Sequence, residues 1–322
     1  MKRILITGAT GQIGSELTPA LRCRYGADLV IAAGHKREPP SGFKDSGPYV
    51  KCDVRNQKAL AAIVEHYRID AIYHLAALLS ATAELEPQLA WEVNVNGLRN
   101  VLETARVQGC AVFHPSSIGA FGPGTPRDNT PQVTVQRPET IYGISKVTGE
   151  LLCDYYHCRY GVDTRGVRFP GLISHVSMPG GGTTDYAVEI FHAALREKHY
   201  TCYLGPDTRL DMMYMADAVR AVIGVMEADP ARLKHRNAYN ITAMSITPTE
   251  LAAAIRKRIV AFEIDYLVDP VRQAIADSWP DRLDDTAARL EWDWASCYDL
   301  AKTTDEMLAS LGEKFASNSP EA

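Results

Sequence analysis

The sequence predicts an α/β fold, with a doubly wound parallel sheet over residues 1–170 and a smaller C-terminal α/β domain over residues 171–322. Three observations predict it. Short β-rich runs alternate with longer amphipathic stretches in the first half, as a parallel sheet with crossover helices requires. A glycine-spaced turn joins the first run to the first helix. After about Pro170 the pattern changes to Gly-rich loops and shorter elements. The expected strands are Arg3 to Thr7, Leu29 to Ala33, Tyr49 to Asp53, Ala71 to Leu75, Ala111 to Pro115 and Thr164 to Phe169. Between them apolar residues fall three and four apart, as in Ile13, Leu17 and Leu21, or Leu98, Val101 and Leu102. In the second half a helix from about Asp185 sets Ile190, Phe191, Ala194 and Leu195 on one face. Residues 212–228 read as a strand end followed by a helix and could return to the first domain. The tail after Phe315 is small and polar.

Composition narrows the function classes. The 322 residues are 46% hydrophobic and 23% charged, ordinary values that exclude disorder, collagen and coiled coil. A net charge of -5, from 34 basic and 39 acidic residues, gives no general attraction to polyanions, so nucleic acid is not an expected partner. No apolar run approaches the ~20 residues of a membrane-spanning helix. The seven cysteines form no CxxC pair and no zinc-spaced Cys/His cluster, so reduced thiols and no metal are expected. Met1-Lys2-Arg3 runs directly into Ile4-Leu5-Ile6, leaving no visible presequence. The expectation is a soluble, intracellular chain of the cytoplasm or mitochondrial matrix.

Ile4-Leu5-Ile6-Thr7-Gly8-Ala9-Thr10-Gly11-Gln12-Ile13-Gly14 reads as strand, tight turn and helix start. Gly8 permits the turn, Gly11 lets backbone approach a pyrophosphate, and Gly14 lets the helix pack on the strand, with helix N-terminal amides receiving the anion. A dinucleotide is the implied ligand. Asp53, followed by Val54, could accept from the adenine amino group or serve as a turn residue. Leu75-Ala76-Ala77 offers small residues to line the groove, and Asn94 begins a helical stretch. The second strand runs into Gly34-His35-Lys36-Arg37, where an NAD site usually carries Asp or Glu for the adenine ribose. The three basic residues suit a 2′-phosphate, which favours NADP, or form a solvated turn, and the sequence leaves both open.

Tyr142 and Lys146 stand at i and i+4 of a helix, hence on one face. A free phenol has a pKa near 10 and is a poor base. A lysine cation and an oxidised nicotinamide beside it could lower that by ~3 units, about 4 kcal/mol. Upstream, Ser116 and Ser117 follow a strand end at the carboxyl edge of the sheet, where such folds bind ligands. Ser117 could hydrogen-bond the reacting oxygen, or one of the two could cap a loop.

The glycine turn, Ser117, Tyr142 and Lys146 together resemble the short-chain dehydrogenase/reductase superfamily in its extended, epimerase-like branch, a Rossmann fold, over nearly the whole chain. Arg209 to Asp217 is similar to that branch's second-domain signature. A narrower match is carried by Ala76 to Ala81, Ile118 to Pro123, Gln136-Arg137-Pro138, Pro179 to Ala187 and Ser278-Trp279-Pro280. These segments resemble the short-chain type of L-threonine 3-dehydrogenase. The resemblance implies metal-free oxidation of the 3-hydroxyl of L-threonine by NAD to 2-amino-3-oxobutyrate. It makes Tyr142 the base, Lys146 the partner of the nicotinamide ribose, and Ser117 the group that orients the hydroxyl. It adds Gln12, Ile13 and Pro170 to the cofactor site. Ser80, Ser116 and Thr184 become holders of the amino acid's polar head, and Trp279 closes the pocket, unless it is a core aromatic. Gly180 to Gly182 could form a closing loop. Gly34 departs from the family's ribose-binding acid, and Ser117 stands where some members carry threonine.

Two other readings share part of the signal. A nucleotide-sugar epimerase or dehydratase uses the same turn and Tyr/Lys pair. A non-catalytic dinucleotide sensor would need no activated phenol. By analogy with the branch, stretches near Leu89 to Arg106 and Tyr142 to Tyr160 would pair two subunits as a homodimer.

Overall fold

The computed structural model describes residues 3–39, 42–178 and 180–318, so Met1, Lys2 and Pro179 of the segments above lie outside it. Its strands are β1 (Ile4–Thr7), β2 (Val30–Gly34), β3 (Tyr49–Lys51), β4 (Ala71–His74), β5 (Ala111–Phe113), β6 (Ser116–Ser117), β7 (Thr164–Arg165), β8 (Val167–Phe169), β9 (Gly171–Ile173), β10 (His199–Cys202), β11 (Leu210–Tyr214), β12 (Tyr239–Asn240), β13 (Met244–Ile246) and β14 (Glu263–Tyr266). The α-helices are α1 (Gln12–Tyr25), α2 (Gln57–Tyr67), α3 (Ser80–Leu85), α4 (Pro87–Trp91), α5 (Gly97–Gln108), α6 (Ile141–Tyr160), α7 (Tyr186–Arg196), α8 (Met215–Glu227), α9 (Pro248–Arg256), α10 (Pro270–Asp277), α11 (Thr286–Trp292) and α12 (Leu300–Asn318).

The main sheet has the order β3-β2-β1-β4-β5-β7 with every pair parallel. Ile4, Leu5 and Ile6 are fully buried in succession because helices cover both faces, as parallel sheets require. Leu17 and Leu21 of α1 pack on one face, and Leu60, Val64, Leu98, Val101 and Leu102 of α2 and α5 on the other. Strand order reverses between β1 and β4, and the crevice above that point is where ligands of such sheets bind.

The expected strand over 164–169 is two strands. A Cβ at Gly166 would lie 2.3 Å from the carbonyl oxygen of His114, so the chain steps there from the main sheet into a separate sheet, β12-β8-β6. β9, β11 and β13 form a third sheet and β10 pairs with β14, over a core shared with α7, α9 and α12. α8 turns back onto α1: Met215, Ala218, Ala221, Val222 and Val225 are buried with Leu17 and Leu21. Arg24 and Tyr25 reach Glu227 across that contact at 2.5 Å each.

Among the described residues no helix is long and apolar enough to cross a membrane, and no group of three or more His, Cys, Asp or Glu could hold a metal ion.

Candidate active site

Gly8 follows β1 with φ +71°, and a Cβ there would lie 2.7 Å from the backbone nitrogen of Ala76, just beyond β4. A Cβ at Gly14 would stand 2.5 Å from the carbonyl oxygen of Gly8, so the turn and the helix start touch only because both are glycine. Gly11 donates its N–H to the Gly8 carbonyl at 3.0 Å, and α1 opens at Gln12 with first-turn amides left for a ligand. The result is a bare cradle at a helix N-terminus, suited to a pyrophosphate.

That cradle forms one end of a cavity of about 340 Å³, lined also by Leu75, Ala77, Ser117, Tyr142, Lys146 and Pro170. Thr140 starts α6 by accepting from the Gly143 N–H at 3.0 Å. A Cβ at Gly143 would meet the Gly119 carbonyl oxygen at 2.2 Å, so the absence of a side chain lets the helix lie against the loop after Ser117. The Ser117 hydroxyl accepts from the Gly119 N–H at 3.1 Å. Lys146 donates to the Pro115 carbonyl at 2.8 Å, and its Nζ lies 5.5 Å from the Tyr142 ring centroid.

Burial dominates both titrations. The Tyr142 phenol is pushed up to about 12 by desolvation, with Ser117 pulling the other way, and burial brings the Lys146 ammonium down to about 8. The expected depression of the tyrosine pKa is therefore absent from the protein alone. The ammonium is directed to a carbonyl instead of the phenol.

Ser80, Thr184 and Trp279 line the same cavity. Ser80 opens α3, faces the Thr183 hydroxyl at 3.2 Å and accepts from the Thr183 N–H at 3.2 Å. Trp279 is 4% exposed and also belongs to the second core, so it is wall and core at once. Ser116 borders the cavity, but its hydroxyl donates to Glu150, one helical turn beyond Lys146. Glu150 also receives Arg168 at 2.8 and 3.0 Å and Gln136 at 2.9 Å, deep in the protein.

Four expected cofactor residues, Asp53, Val54, Ala76 and Asn94, stand outside the cavity lining. The Asp53 carboxylate is held by Arg55 at 2.7–3.1 Å, a contact that keeps it below its ordinary pKa. Val54 is buried against Gly97. Asn94 accepts from the Leu78 N–H at 2.8 Å and donates to Ser145 at 3.1 Å, so it clamps the wall beside α6. Ala76 backs Gly8 through its main chain.

Asp185 went unassigned in the sequence and lies in the wall. Its carboxylate accepts from the Gly181 and Gly182 N–H groups at 2.9 and 2.7 Å, pinning the triple-glycine loop, while burial raises it to about 6. The signal was an acid three residues past the glycines at a helix start, a common loop-tying position.

The model of the "NAD dependent epimerase/dehydratase family" matches residues 4–242. An uncharacterized epimerase/dehydratase of Staphylococcus haemolyticus is 55% identical over 316 residues, 98% of this chain and 99% of that relative. Three solved structures superpose closely. L-threonine dehydrogenase from Clostridium difficile is 54% identical with TM-score 0.95, covering 98% of both chains. The holo form of a GalE-like L-threonine dehydrogenase from Cupriavidus necator is 52% identical with TM-score 0.92, covering 96% of this chain and 99% of that one. A monomeric L-threonine 3-dehydrogenase from a metagenome is 44% identical with TM-score 0.92, covering 97% and 99%. With a parallel sheet, a bare pyrophosphate cradle and a family match across most of its length, the chain belongs to the NAD dependent epimerase/dehydratase family.

Proposed function

We propose that this protein is an NAD-dependent L-threonine 3-dehydrogenase, oxidising the 3-hydroxyl of L-threonine to 2-amino-3-oxobutyrate. The observation that carries the reading is the convergence of Ser117, Tyr142 and Lys146 with the glycine cradle in a single cavity. The solved structures of threonine dehydrogenases at 44–54% identity support the choice of substrate.

When bound, the nicotinamide would supply the hydride acceptor for C3 and a positive charge near Tyr142. In this reading Tyr142 removes the hydroxyl proton while Ser117 holds the same oxygen by hydrogen bonding. Lys146, fixed by the Pro115 carbonyl, is the cation that stabilises the phenolate as the proton leaves. Ser80, with Thr183 and Thr184, supplies hydroxyls for the amino acid's head, and Trp279 excludes water from the cavity. We assign Ser116 to holding Glu150 against the sheet, since its hydroxyl is already committed there. Asn94 and Asp185 shape the walls.

A subunit pairing through α6 belongs to the same reading. Ile144, Leu151 and Tyr155 are exposed at sevenfold and fourfold spacing, one stripe along the helix, with Leu85 of α3 also bare. The activity is tested by following nicotinamide reduction with L-threonine, NAD and NADP in parallel. Turnover with threonine supports the assignment, and turnover only with a nucleotide sugar refutes it.

A further inference from the structure

β2 ends at Gly34, some twenty residues past the glycine turn, where dinucleotide folds of this topology carry the acid that binds the adenosine ribose. Gly34 has no side chain for that task, yet the space is filled. A Cβ built on Gly34 would lie 2.4 Å from the hydroxyl oxygen of Tyr49 and 3.3 Å from the Thr10 methyl. An aspartate oxygen stands two bonds beyond its own Cβ, about 2.4 Å away. The phenol oxygen thus sits at the radius that a carboxylate oxygen would occupy.

It arrives there from the neighbouring strand. β3 pairs with β2 so that Tyr49 lies opposite Ala32, two residues before Gly34 and on the same face. The ring packs edge-on against Phe43 with centroids 6.4 Å apart, and the hydroxyl extends toward the strand end. That hydroxyl is closed off from solvent and has no hydrogen-bond partner among the described residues, a costly state for a group able to donate and accept. Thr10, whose methyl lies 3.3 Å from that same Cβ position, belongs to the glycine turn, and rotation between staggered wells about one bond moves the methyl away.

We propose that the Tyr49 hydroxyl receives the adenosine ribose of the dinucleotide in place of the missing acid. The inference rests on the dinucleotide assignment above and adds the residue that selects between dinucleotides. A carboxylate at this corner repels a 2′-phosphate, whereas a neutral phenol does not. Arg37, three residues past Gly34, lines the cavity that the glycine turn borders and brings a cation to it. The site therefore binds NAD and NADP with similar affinity.

The test measures dissociation constants for NAD and NADP by calorimetry on the wild type, Tyr49→Phe, Gly34→Asp and the double variant. Tyr49→Phe keeps the ring packing and removes an unpartnered hydroxyl, so its melting temperature without ligand does not fall while NAD affinity falls about fivefold. Gly34→Asp alone drives its Cβ into the phenol and weakens both ligands. Removing that oxygen in Gly34→Asp/Tyr49→Phe makes room for the acid, restores NAD binding and rejects NADP by about a hundredfold. Tyr49→Phe within about twofold of wild type for NAD, or a double variant no better than Gly34→Asp, overturns the proposal. Because the readout is binding, a wild type that binds NAD without oxidising threonine still lets these comparisons decide it. A wild type that binds neither dinucleotide overturns it.

Discussion

Glu150→Gln is the most informative single change on the buried side of α6. The carboxylate and the Arg168 guanidinium are 6% and 8% exposed and meet at 2.8 Å, with a second contact at 3.0 Å. Glutamine fills the same volume and can still accept from Ser116, but it leaves the guanidinium charge buried without its counterion. Breaking such a pair costs about 3–5 kcal/mol, a large part of the 5–15 kcal/mol that holds a typical domain. At roughly 2 °C per kcal/mol for a chain of this size, the melting temperature should fall by about 6–10 °C. Chemical denaturation at neutral pH, monitored by tryptophan fluorescence, measures the loss directly. Pairing Glu150→Gln with Arg168→Met removes the stranded charge and should recover most of the stability, as uncharged replacements of buried pairs do. A single-variant loss under about 1 kcal/mol, or a double variant less stable than the single, would refute the argument that the charge is truly desolvated.

Tyr142→Phe should lower kcat by about 10²–10⁴-fold while leaving the NAD dissociation constant within about twofold, measured by steady-state rates and calorimetry. Gly8→Ala places a Cβ 2.7 Å from the Ala76 nitrogen at φ +71°, so it should lose about 1–3 kcal/mol of stability and abolish dinucleotide binding. Burial raises the Glu16 carboxyl from 4.5 to about 7, against the opposing bond from Ser174. A group raised in the folded state makes the protein less stable as pH climbs from its unfolded to its folded pKa. The advantage of Glu16→Gln over wild type should therefore grow between pH 4.5 and about 7, by up to about 3 kcal/mol in urea titrations, and an advantage that stays flat sinks the idea. Light scattering should show a dimer that Leu151→Glu dissociates; a monomeric wild type would remove the pairing.

Local chemistry was the legible part of this chain. The glycines of the first turn, the i, i+4 spacing of Tyr142 and Lys146 and the buried parallel strands all express constraints that act within a dozen residues. Their signals survive in one sequence because backbone geometry imposes them. The Asp53 carboxylate also meets Arg55, two positions on, and nothing in spacing ranks that contact against an adenine amino group. The partner of Ser116 was hidden for a long-range reason: Glu150, which takes its hydroxyl proton, comes from another element. The break at Gly166 was hidden because its cause is a carbonyl fifty residues earlier in the chain, at His114. Tyr49 was invisible as a site residue, since only strand pairing brings it under Gly34.

The return of α8 to α1 has a consequence for how the chain is made. The face of the first sheet that carries Leu17, Leu21 and Val30 is sealed by Met215, Ala218, Val222 and Val225, and the β8 edge is paired only when Tyr239 and Asn240 arrive. A ribosome releasing the first two hundred residues thus releases an apolar face with no cover. Folding of the nucleotide half must wait for sequence well past its own strands, and during that interval the nascent chain depends on chaperones or speed to stay unaggregated.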